Sequence, residues 1–376
     1  MKIGIDARLW AQTGVGRYIR NLAINLQKID KKNEYVLFVR SQDYEEIQNS
    51  EFRIQNKRWK IVQTDVKWHS IAEQTKFPRV LNKEKLDLVH FPYFSVPFFY
   101  KSPFVVTIHD LIINHFPTGK ASTLILPLYE TKLLGYKYVI KKAAHNSKKI
   151  IAVSNATKEE IIDHLNVKPE KIKVIYEGVD DKFSNHKSPI INQKYGNYFL
   201  YVGNAYPHKN LGKLLEAFNI LQSSKPNSQD LKLILVGKND FFYKRLEAKI
   251  EKENLKGIEI LHDVSDSQLS ELYSGALSLV MPSLMEGFGL PVLEGMAAGC
   301  PVLASDIPSI KEIAGDSILY FDPYSAEELA KKLELIIQNQ KLRKDLIEKG
   351  YERAKMFSWK KTAEGALKVY EEAATK

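Results

Sequence analysis

The sequence predicts an α/β fold in two domains, each built on a parallel β-sheet. Short apolar and β-branched runs alternate with helical patterns along the whole chain, which is typical of parallel strands joined by helices. The length of 376 residues exceeds one ordinary core, since domains usually hold about 100–200 residues. Hydrophobic residues make up 44% of the chain and charged residues 27%, as expected for a folded globular protein. We therefore expect two domains with a cleft between them.

Apolar runs predict the strands of both domains. In the first half they lie at residues 3–5, 35–39, 88–91, 105–108, 150–153 and 174–176. A polar stretch at residues 180–197 predicts the hinge. In the second half the runs lie at residues 198–202, 231–236, 258–261, 277–281 and 302–304, each followed by a candidate helix. Helices are also predicted at 326–338 and 342–356, and a last helix begins near Ser358, whose side chain is suited to cap it.

The composition limits the partners of the protein. The formal net charge of +10 favours phosphates of any kind, including nucleotides, anionic lipids and nucleic acids. The basic residues are concentrated at 137–149 and 168–173 but form no arm with interleaved aromatic residues, so we expect no nucleic acid. The single cysteine, Cys300, cannot form an intrachain disulfide or a cysteine metal site, and its apolar context predicts burial.

The sequence also predicts where the protein resides. The amino terminus begins directly as a strand without a secretory signal, and no apolar run reaches the roughly 18–20 residues that span a bilayer. We therefore expect a cytoplasmic protein. At residues 121–149, apolar residues alternate with lysines at helical spacing. We favour a core helix with solvated lysines, and the alternative is a helix on the inner face of the membrane.

The loop after the first strand contains glycines and opens a helix. Gly14, Gly16 and Arg17 stand there. Glycines let the backbone approach an anion, and the free amides of a helix start can bind it. A tight turn without ligand is the alternative. Tyr18 and Ile19 replace the third glycine of a dinucleotide-binding loop, which disfavours a dehydrogenase.

Two further strand ends carry groups suited to a phosphorylated sugar. His109 ends the fourth strand, where it can hydrogen-bond a hydroxyl or a phosphate; a structural histidine is the alternative. In the second half, Gly203 is followed by Asn204, His208 and Lys209. A lysine in this loop offsets the negative charge that grows on a leaving phosphate, although an isolated Lys209 would be a surface residue.

The strongest motif follows the strand at 277–281. Glu286 and Glu294 bracket a glycine turn and a helix start. Glu286 can accept hydrogen bonds from sugar hydroxyls, and Glu294 can hold the two hydroxyls of a ribose. The intervening backbone offers amides and the positive end of a helix, which suit phosphate. The residues concerned are Gly287, Phe288, Gly289, Leu290 and Val292. The alternative is a pair of surface glutamates that cap a helix.

Together these motifs resemble glycosyltransferase family 4, the retaining transferases of GT-B architecture. The resemblance covers nearly the whole chain and lies in residues 14–18, 107–110, 174–180, 203–210, 286–294 and 304–308. It implies that Gly16 and Lys209 contact the diphosphate of a nucleotide-sugar donor. It further implies that His109 lies beside the reacting sugar, that Glu286 binds its hydroxyls and that Glu294 binds the ribose.

The resemblance further implies that Val264, at a strand end, borders the nucleotide base.

This chain also departs from the family pattern. Many members carry arginine where this chain has Asn204, and His208 likewise replaces an arginine. Lys209 is then the one full cation that this loop offers to the diphosphate, and donor affinity depends more on backbone amides and Arg17.

The architecture that the resemblance implies is two Rossmann-like domains with parallel sheets that face a central cleft. Residues 1–185 would form the acceptor-binding domain, completed by a C-terminal helix at 358–376 that crosses back to it. Residues 186–357 would form the nucleotide-sugar-binding domain. The family implies retention of anomeric configuration. We expect no cofactor and no metal, because no strand end carries an Asp-x-Asp motif that would hold a divalent ion.

The loops are most similar to bacterial surface-polysaccharide enzymes, many of them mannosyltransferases that use GDP-mannose. The predicted acceptor is a glycan or a lipid-linked oligosaccharide. Alternatives are a glucosyl-, galactosyl- or rhamnosyltransferase that uses a UDP- or dTDP-sugar, or a non-catalytic nucleotide-sugar-binding protein. A nicotinamide-dependent oxidoreductase lacks its third glycine here, and a sugar-nucleotide epimerase lacks the glutamate pair in this form.

Overall fold

The computed structural model describes residues 1–49, 57–116, 126–184, 195–224 and 230–374. Within these ranges the chain divides into two compact units. Unit 1 comprises Met1–Asn114, Leu126–Gly178 and Ser358–Lys376, and unit 2 comprises His115–Ile125 and Val179–Phe357. The end of the chain therefore belongs to the same unit as its beginning.

Each unit contains one parallel sheet. The strands of unit 1 are β1 (Lys2–Asp6), β2 (Glu34–Val39), β3 (Trp59–Gln63), β4 (Leu88–Phe91), β5 (Phe104–Ile108), β6 (Lys149–Ala152) and β7 (Ile172–Val174). Those of unit 2 are β8 (Tyr198–Val202), β9 (Lys232–Val236), β10 (Ile258–Leu261), β11 (Ser278–Met281), β12 (Val302–Ser305) and β13 (Leu319–Phe321). Their spatial orders are β3-β2-β1-β4-β5-β6-β7 and β10-β9-β8-β11-β12-β13. All the recorded pairings are parallel, so the carboxyl ends within each sheet share one edge.

Helices connect successive strands, except that residues 92–103 join β4 to β5 without a helix. They are α1 (Gly14–Ile29), α2 (Ser41–Asn49), α3 (Ile71–Thr75), α4 (Phe77–Lys83), α5 (Ile112–His115), α6 (Leu126–Asn146), α7 (Asn155–Leu165), α8 (Asp181–Ser184), α9 (Leu211–Ser224), α10 (Phe241–Lys252), α11 (Asp266–Gly275), α12 (Leu290–Ala297), α13 (Pro308–Ala314), α14 (Ala326–Gln338), α15 (Gln340–Ala354) and α16 (Trp359–Ala374). The last helix, α16, packs against α1 in unit 1, so the predicted return of the chain to the first domain is confirmed.

Side chains at the helix starts follow the expected capping chemistry. The Ser358 hydroxyl accepts a hydrogen bond from the backbone N–H of Lys361 at 3.3 Å, as predicted. Asp240 caps α10 by accepting from the backbone N–H groups of Phe242 and Tyr243 at 2.9 and 3.0 Å. Such caps satisfy donors that a helix start leaves unpaired, and the Asp240 cap fixes the first turn of α10 beside the end of β8.

The predicted strands correspond to observed strands, with one displacement and two omissions. The run at 174–176 was misplaced, because the strand is Ile172–Val174. The edge strands Trp59–Gln63 and Leu319–Phe321 were not predicted. The first is exposed at two positions, and the second has only three residues, two of them partly exposed. The predicted domain boundary at 185 and residues 185–194 of the predicted hinge lie outside the described residues, and Asp181–Ser184 is helical.

The predicted helix at 121–149 is observed from Leu126 to Asn146, and residues 121–125 lie outside the described ranges. Ile140, Ala143 and Ala144 are buried in the unit 1 core, which agrees with the favoured core-helix interpretation. Leu134 and Tyr138 do not, because 68% and 60% of their surfaces are exposed. Cys300 is buried and unpaired in unit 2, as predicted. No helix in the described part of the chain is long and apolar enough to cross a bilayer.

Candidate active site

In unit 2, Lys209 and Glu286 form an ion pair. Lys209 lies in a 3-10 turn, Pro207–Lys209, between β8 and α9, and Glu286 follows β11. The Lys209 Nζ donates to Glu286 Oε1 at 2.6 Å. Ser283 Oγ donates to the same oxygen, also at 2.6 Å. One carboxylate oxygen thus accepts two short hydrogen bonds.

Backbone contacts join the two loops that carry this pair. The N–H of Leu284 donates to the carbonyl of His208 at 2.8 Å. The Asn210 side-chain amide donates to the carbonyl of Pro282 at 3.0 Å, and Asn210 has a φ of 58°, which asparagine tolerates better than most residues. Because β8 and β11 are neighbours in the sheet, these contacts fix the cation and the carboxylate at one strand edge.

Burial and neighbouring groups shift the pKa values of Glu286 and His208. Only 9% of the Glu286 side chain and 13% of the Lys209 side chain are exposed. Burial alone would raise the pKa of Glu286, but Lys209 and the Ser283 hydroxyl hold this pKa below its usual value. Burial and the adjacent Lys209 lower the pKa of His208 to about 4. His208 is therefore a neutral, buried histidine at neutral pH and adds no second cation to the loop.

The second glutamate of the motif, Glu294, is buried on α12. Its Oε2 accepts a hydrogen bond from the Tyr273 hydroxyl at 2.9 Å. Tyr273 belongs to α11, so a neighbouring helix orients this carboxylate. Sequence reasoning missed both Ser283 and Tyr273, because serine and tyrosine are common residues and each of these two hydrogen-bonds a glutamate of the motif.

The turn between the glutamates is tightly packed. Gly289 has a φ of 95°, and a Cβ there would lie 2.5 Å from the Ile310 side chain; only glycine fits. Phe288 is buried and its ring contacts Phe357 edge to face at 6.0 Å. Val292 is a core residue whose N–H donates to the Gly289 carbonyl.

The remaining unit 2 candidates also lie beyond strand ends. Gly203 and Asn204 follow β8 and are half-buried, as is Val264 after β10. Gly287, beside Glu286, is buried, and Leu290 begins α12 half-buried. The structure thus brings the predicted unit 2 residues to the same edge of one sheet.

In unit 1, Gly14, Gly16 and Arg17 form the first turn of α1. A Cβ on Gly16 would lie 2.3 Å from the carbonyl oxygen of Trp10, whereas one on Gly14 would meet nothing within 4 Å. Gly16 is therefore required for close backbone packing. Arg17 is half-buried.

His109, after β5, has both ring nitrogens engaged. Nδ1 contacts Glu177 Oε1 at 3.0 Å, and Nε2 contacts the Pro92 carbonyl oxygen at 2.9 Å. Since a carboxylate and a carbonyl only accept hydrogen bonds, both contacts are satisfied together by the doubly protonated ring. Burial would lower the pKa of His109, but Glu177, the Pro92 carbonyl and Asp110 raise it above the usual value. The two contacts and the raised pKa both favour the protonated ring.

Glu177 was not predicted to have a role. It lies 68 residues from His109 in the chain, beyond the end of β7, and is buried. Its position after β7, at the same edge of the sheet as His109, could have identified it from the sequence.

The sequence matches two family models. "Glycosyltransferase Family 4" matches residues 12–183, and "Glycosyl transferases group 1" matches residues 182–353. An uncharacterized glycosyltransferase of Methanocaldococcus jannaschii is 33% identical over 303 residues, which cover 78% of this chain and 77% of the relative. The chain therefore belongs to glycosyltransferase family 4, and its class is that of the hexosyltransferases.

Two further relatives are O-antigen chain mannosyltransferases. The O-antigen chain mannosyltransferase RfbU of Salmonella typhimurium is 34% identical over 220 residues, which are 58% of this chain and 56% of RfbU. The O-antigen chain mannosyltransferase B of Escherichia coli is 31% identical over 244 residues, which are 61% of this chain and 63% of the relative. The match thus spans less than two thirds of either mannosyltransferase.

Solved structures have the same fold. Anabaena HepE in complex with UDP and glucose has a TM-score of 0.76 at 16% identity and covers 99% of both chains. WaaG, a glycosyltransferase involved in lipopolysaccharide biosynthesis, has a TM-score of 0.74 at 18% identity, covering 98% of this chain and 99% of WaaG. The predicted GT-B architecture of two Rossmann-like domains is confirmed.

Proposed function

We propose that this protein is a retaining, metal-independent glycosyltransferase that moves mannose from GDP-mannose to a glycan or lipid-linked oligosaccharide in cell-surface polysaccharide synthesis. The observation that carries the transferase mechanism is the buried Lys209–Glu286 pair at the carboxyl ends of two neighbouring strands. The choice of mannose is supported by the two O-antigen mannosyltransferases among the relatives.

The chemistry follows from where charge develops. Cleavage of a sugar–phosphate bond builds negative charge on the diphosphate and positive charge on the sugar ring. The Lys209 ammonium stabilises the departing diphosphate, and the Glu286 carboxylate accepts hydrogen bonds from the sugar hydroxyls. Before donor binds, each group neutralises the other. Donor binding therefore exchanges one buried ion pair for contacts with a dianion and a polyol.

The other predicted residues have supporting roles in this proposal. Glu294, oriented by Tyr273, holds the ribose, and Val264 borders the base. In unit 1, Gly16 and Arg17 serve the diphosphate, and His109 serves the reacting sugar. Both ring nitrogens of His109 are already engaged by Glu177 and the Pro92 carbonyl, so we assign this residue a positioning role beside the reacting sugar rather than general-acid or general-base catalysis.

A donor panel tests the proposal. Hydrolysis and binding of GDP-mannose, UDP-glucose, UDP-galactose, ADP-glucose and dTDP-rhamnose are measured with EDTA present, beside Glu286→Gln. We expect turnover of GDP-mannose that EDTA leaves unchanged and the variant loses. Turnover of a UDP- or dTDP-sugar instead would overturn the mannose assignment alone. Binding without transfer to any acceptor would indicate a non-catalytic sensor, and no binding would refute the transferase.

The acceptor proposal includes a membrane surface on unit 1. Leu134 and Tyr138, one turn apart on α6, are exposed, and Phe99 in the loop before β5 is 65% exposed. Phe98 connects Tyr138 to Phe99, because its ring stacks on Tyr138 at 5.3 Å and contacts Phe99 at 5.0 Å. Among the residues of α6, four lysines accompany one carboxylate, Glu130. Exposed apolar residues flanked by cations suit an anionic lipid surface.

Vesicle sedimentation tests this surface. We expect binding to vesicles containing anionic phosphatidylglycerol, weaker binding at high salt because salt screens the lysines, and loss of binding in a Phe99→Ser/Tyr138→Ser variant. Tyr324→Ser is the matched control, since Tyr324 is 71% exposed in unit 2. Equal sedimentation of both variants would refute the surface.

A further inference from the structure

Two buried tyrosines hold the loop that follows β8. The hydroxyl of Tyr243, on α10, donates to the Gly203 carbonyl at 2.9 Å. The hydroxyl of Tyr201, on β8, donates to the Asn204 carbonyl at 2.6 Å. Both tyrosines are fully buried, whereas the loop itself is half-exposed. Two successive loop carbonyls are therefore fixed toward the interior of unit 2.

Fixing a carbonyl also fixes the N–H of the same peptide. In a trans peptide the N–H points opposite to the C=O, and the described residues contain no cis peptide. The Asn204 N–H therefore points away from Tyr243, and the Ala205 N–H points away from Tyr201. Neither N–H donates to another group in the described part of the chain, so both can receive an anion.

Two glycines make room for the tyrosines. A Cβ on Gly203, whose φ is 154°, would lie 2.7 Å from the Tyr201 hydroxyl. A Cβ on Gly237, after β9, would lie 2.2 Å from the Tyr243 ring and 2.3 Å from the Gly203 carbonyl oxygen. Any side chain at either position would push a tyrosine from beneath the loop. The Asp240 cap of α10 holds Tyr243 from the other side.

We propose that Tyr201 and Tyr243 are positioning residues that aim the amides of Asn204 and Ala205 at the donor diphosphate. The inference rests on the proposed function. The loop continues directly into Lys209, so two aligned amide dipoles and one ammonium act on the same dianion. Amides fixed before the ligand arrives stabilise it without a reorganisation cost. They also supply hydrogen bonds at a loop whose histidine, His208, is neutral.

The test removes each hydroxyl and compares a nucleoside diphosphate with its monophosphate. Titration calorimetry gives the dissociation constants of GDP, GMP, UDP and UMP for Tyr201→Phe, Tyr243→Phe and the double variant. We expect the diphosphate of the preferred base to bind about tenfold more weakly in each single variant, the equivalent of about 1.4 kcal/mol. The monophosphate should change far less, because it lacks the phosphate nearest Lys209.

Tyr198→Phe is the matched control. Tyr198 is also fully buried on β8, and its hydroxyl donates to the Leu272 carbonyl at 2.8 Å, which lies in α11 and not in the loop. This variant loses a comparable buried hydrogen bond, so it should lose comparable stability and keep the wild-type preference for the diphosphate.

A second measurement does not depend on variants. The amide NMR signals of Asn204 and Ala205 should shift and become protected from hydrogen exchange when GDP is added, and less so with GMP. If the wild type binds no nucleotide, the proposed function fails. If it prefers the diphosphate, but the tyrosine variants keep that preference and the two amides do not respond, the proposed function survives and this inference is refuted.

Discussion

Replacing Lys209 with methionine should destabilise unit 2 by leaving the Glu286 carboxylate without its cation. Both side chains are about nine-tenths buried, and removing one partner of such a pair costs about 3–5 kcal/mol. Ser283 still donates to Glu286 Oε1, so we expect the lower end, about 3 kcal/mol. Lys213→Met is the control, because the Lys213–Glu216 pair is exposed and should contribute under about 1 kcal/mol.

The loss should depend on pH. In the wild type the pKa of Glu286 is lowered, so the ionised carboxylate contributes stability above its unfolded pKa of about 4.3 that disappears as the pH falls through the folded value. Without Lys209, burial dominates and the pKa of Glu286 rises. The variant then protonates Glu286 at higher pH, and the stability difference from the wild type should be largest near pH 7 and shrink toward pH 4.

The assay can separate the two units. The four tryptophans, at positions 10, 59, 68 and 359, all lie in segments of unit 1. Tryptophan fluorescence therefore follows the unfolding of unit 1 in urea, and far-UV circular dichroism follows both units. Lys209→Met should move a dichroism transition to lower urea and leave the fluorescence transition in place.

A double-mutant cycle with Glu286→Gln measures the pair itself. A hydrogen bond to a charged group contributes about 1.5–3 kcal/mol, and we expect a coupling energy in that range between the two substitutions. Additive effects, within about 0.5 kcal/mol, would mean that the two groups do not interact in solution, and the assigned electrostatics of the site would be wrong.

Two further predictions concern unit 1. Glu177→Gln should lower the pKa of His109, which NMR titration of the ring protons would measure. In the wild type the raised pKa of His109 stabilises the fold below about pH 6.5. The variant should therefore lose stability mainly in acid. An unchanged His109 titration would contradict the contact. Gly16→Ala should lower the free energy of unfolding by more than about 1 kcal/mol, since a methyl group would overlap the Trp10 carbonyl oxygen. Gly14→Ala has open space around it and should stay within about 0.5 kcal/mol of wild type. Urea unfolding measures both values, and equal losses in the two variants would contradict the packing at Gly16.

The alternation of strands and helices could be predicted from the sequence because buried parallel strands are nearly continuous apolar runs. The core strand Phe104–Ile108 is buried at every position. The edge strand Trp59–Gln63 is exposed at two of its five positions, so its composition resembles that of a loop. The edge strand Leu319–Phe321 has only three residues, too few to show a period.

Strand-end residues could be predicted, but their partners could not. His109 and Lys209 each follow a strand, and the general rule for parallel sheets makes them candidates. Glu177 and Glu286 lie 68 and 77 residues away from them, and no periodicity relates residues at such distances. Helix α6 shows a similar limit. The spacing of its apolar residues predicts a face packed on the core, but it does not predict that Leu134 and Tyr138 are exposed.

The placement of α16 in unit 1 has a consequence for synthesis. Unit 1 takes its segments from both sides of Val179–Phe357 in the chain. Its helix α1 is translated well before α16, which buries Trp359 and Tyr370 and packs on α1. Translation proceeds at about 5–20 residues per second, so the face of α1 that α16 covers stays uncovered for on the order of ten seconds or more after Gly178 has been made. The larger segment of unit 2, Val179–Phe357, is translated in one stretch before α16. A nascent chain stalled before Ser358 should therefore hold a folded second unit and an unfinished first one, and the unfinished unit is where a chaperone would be expected to bind.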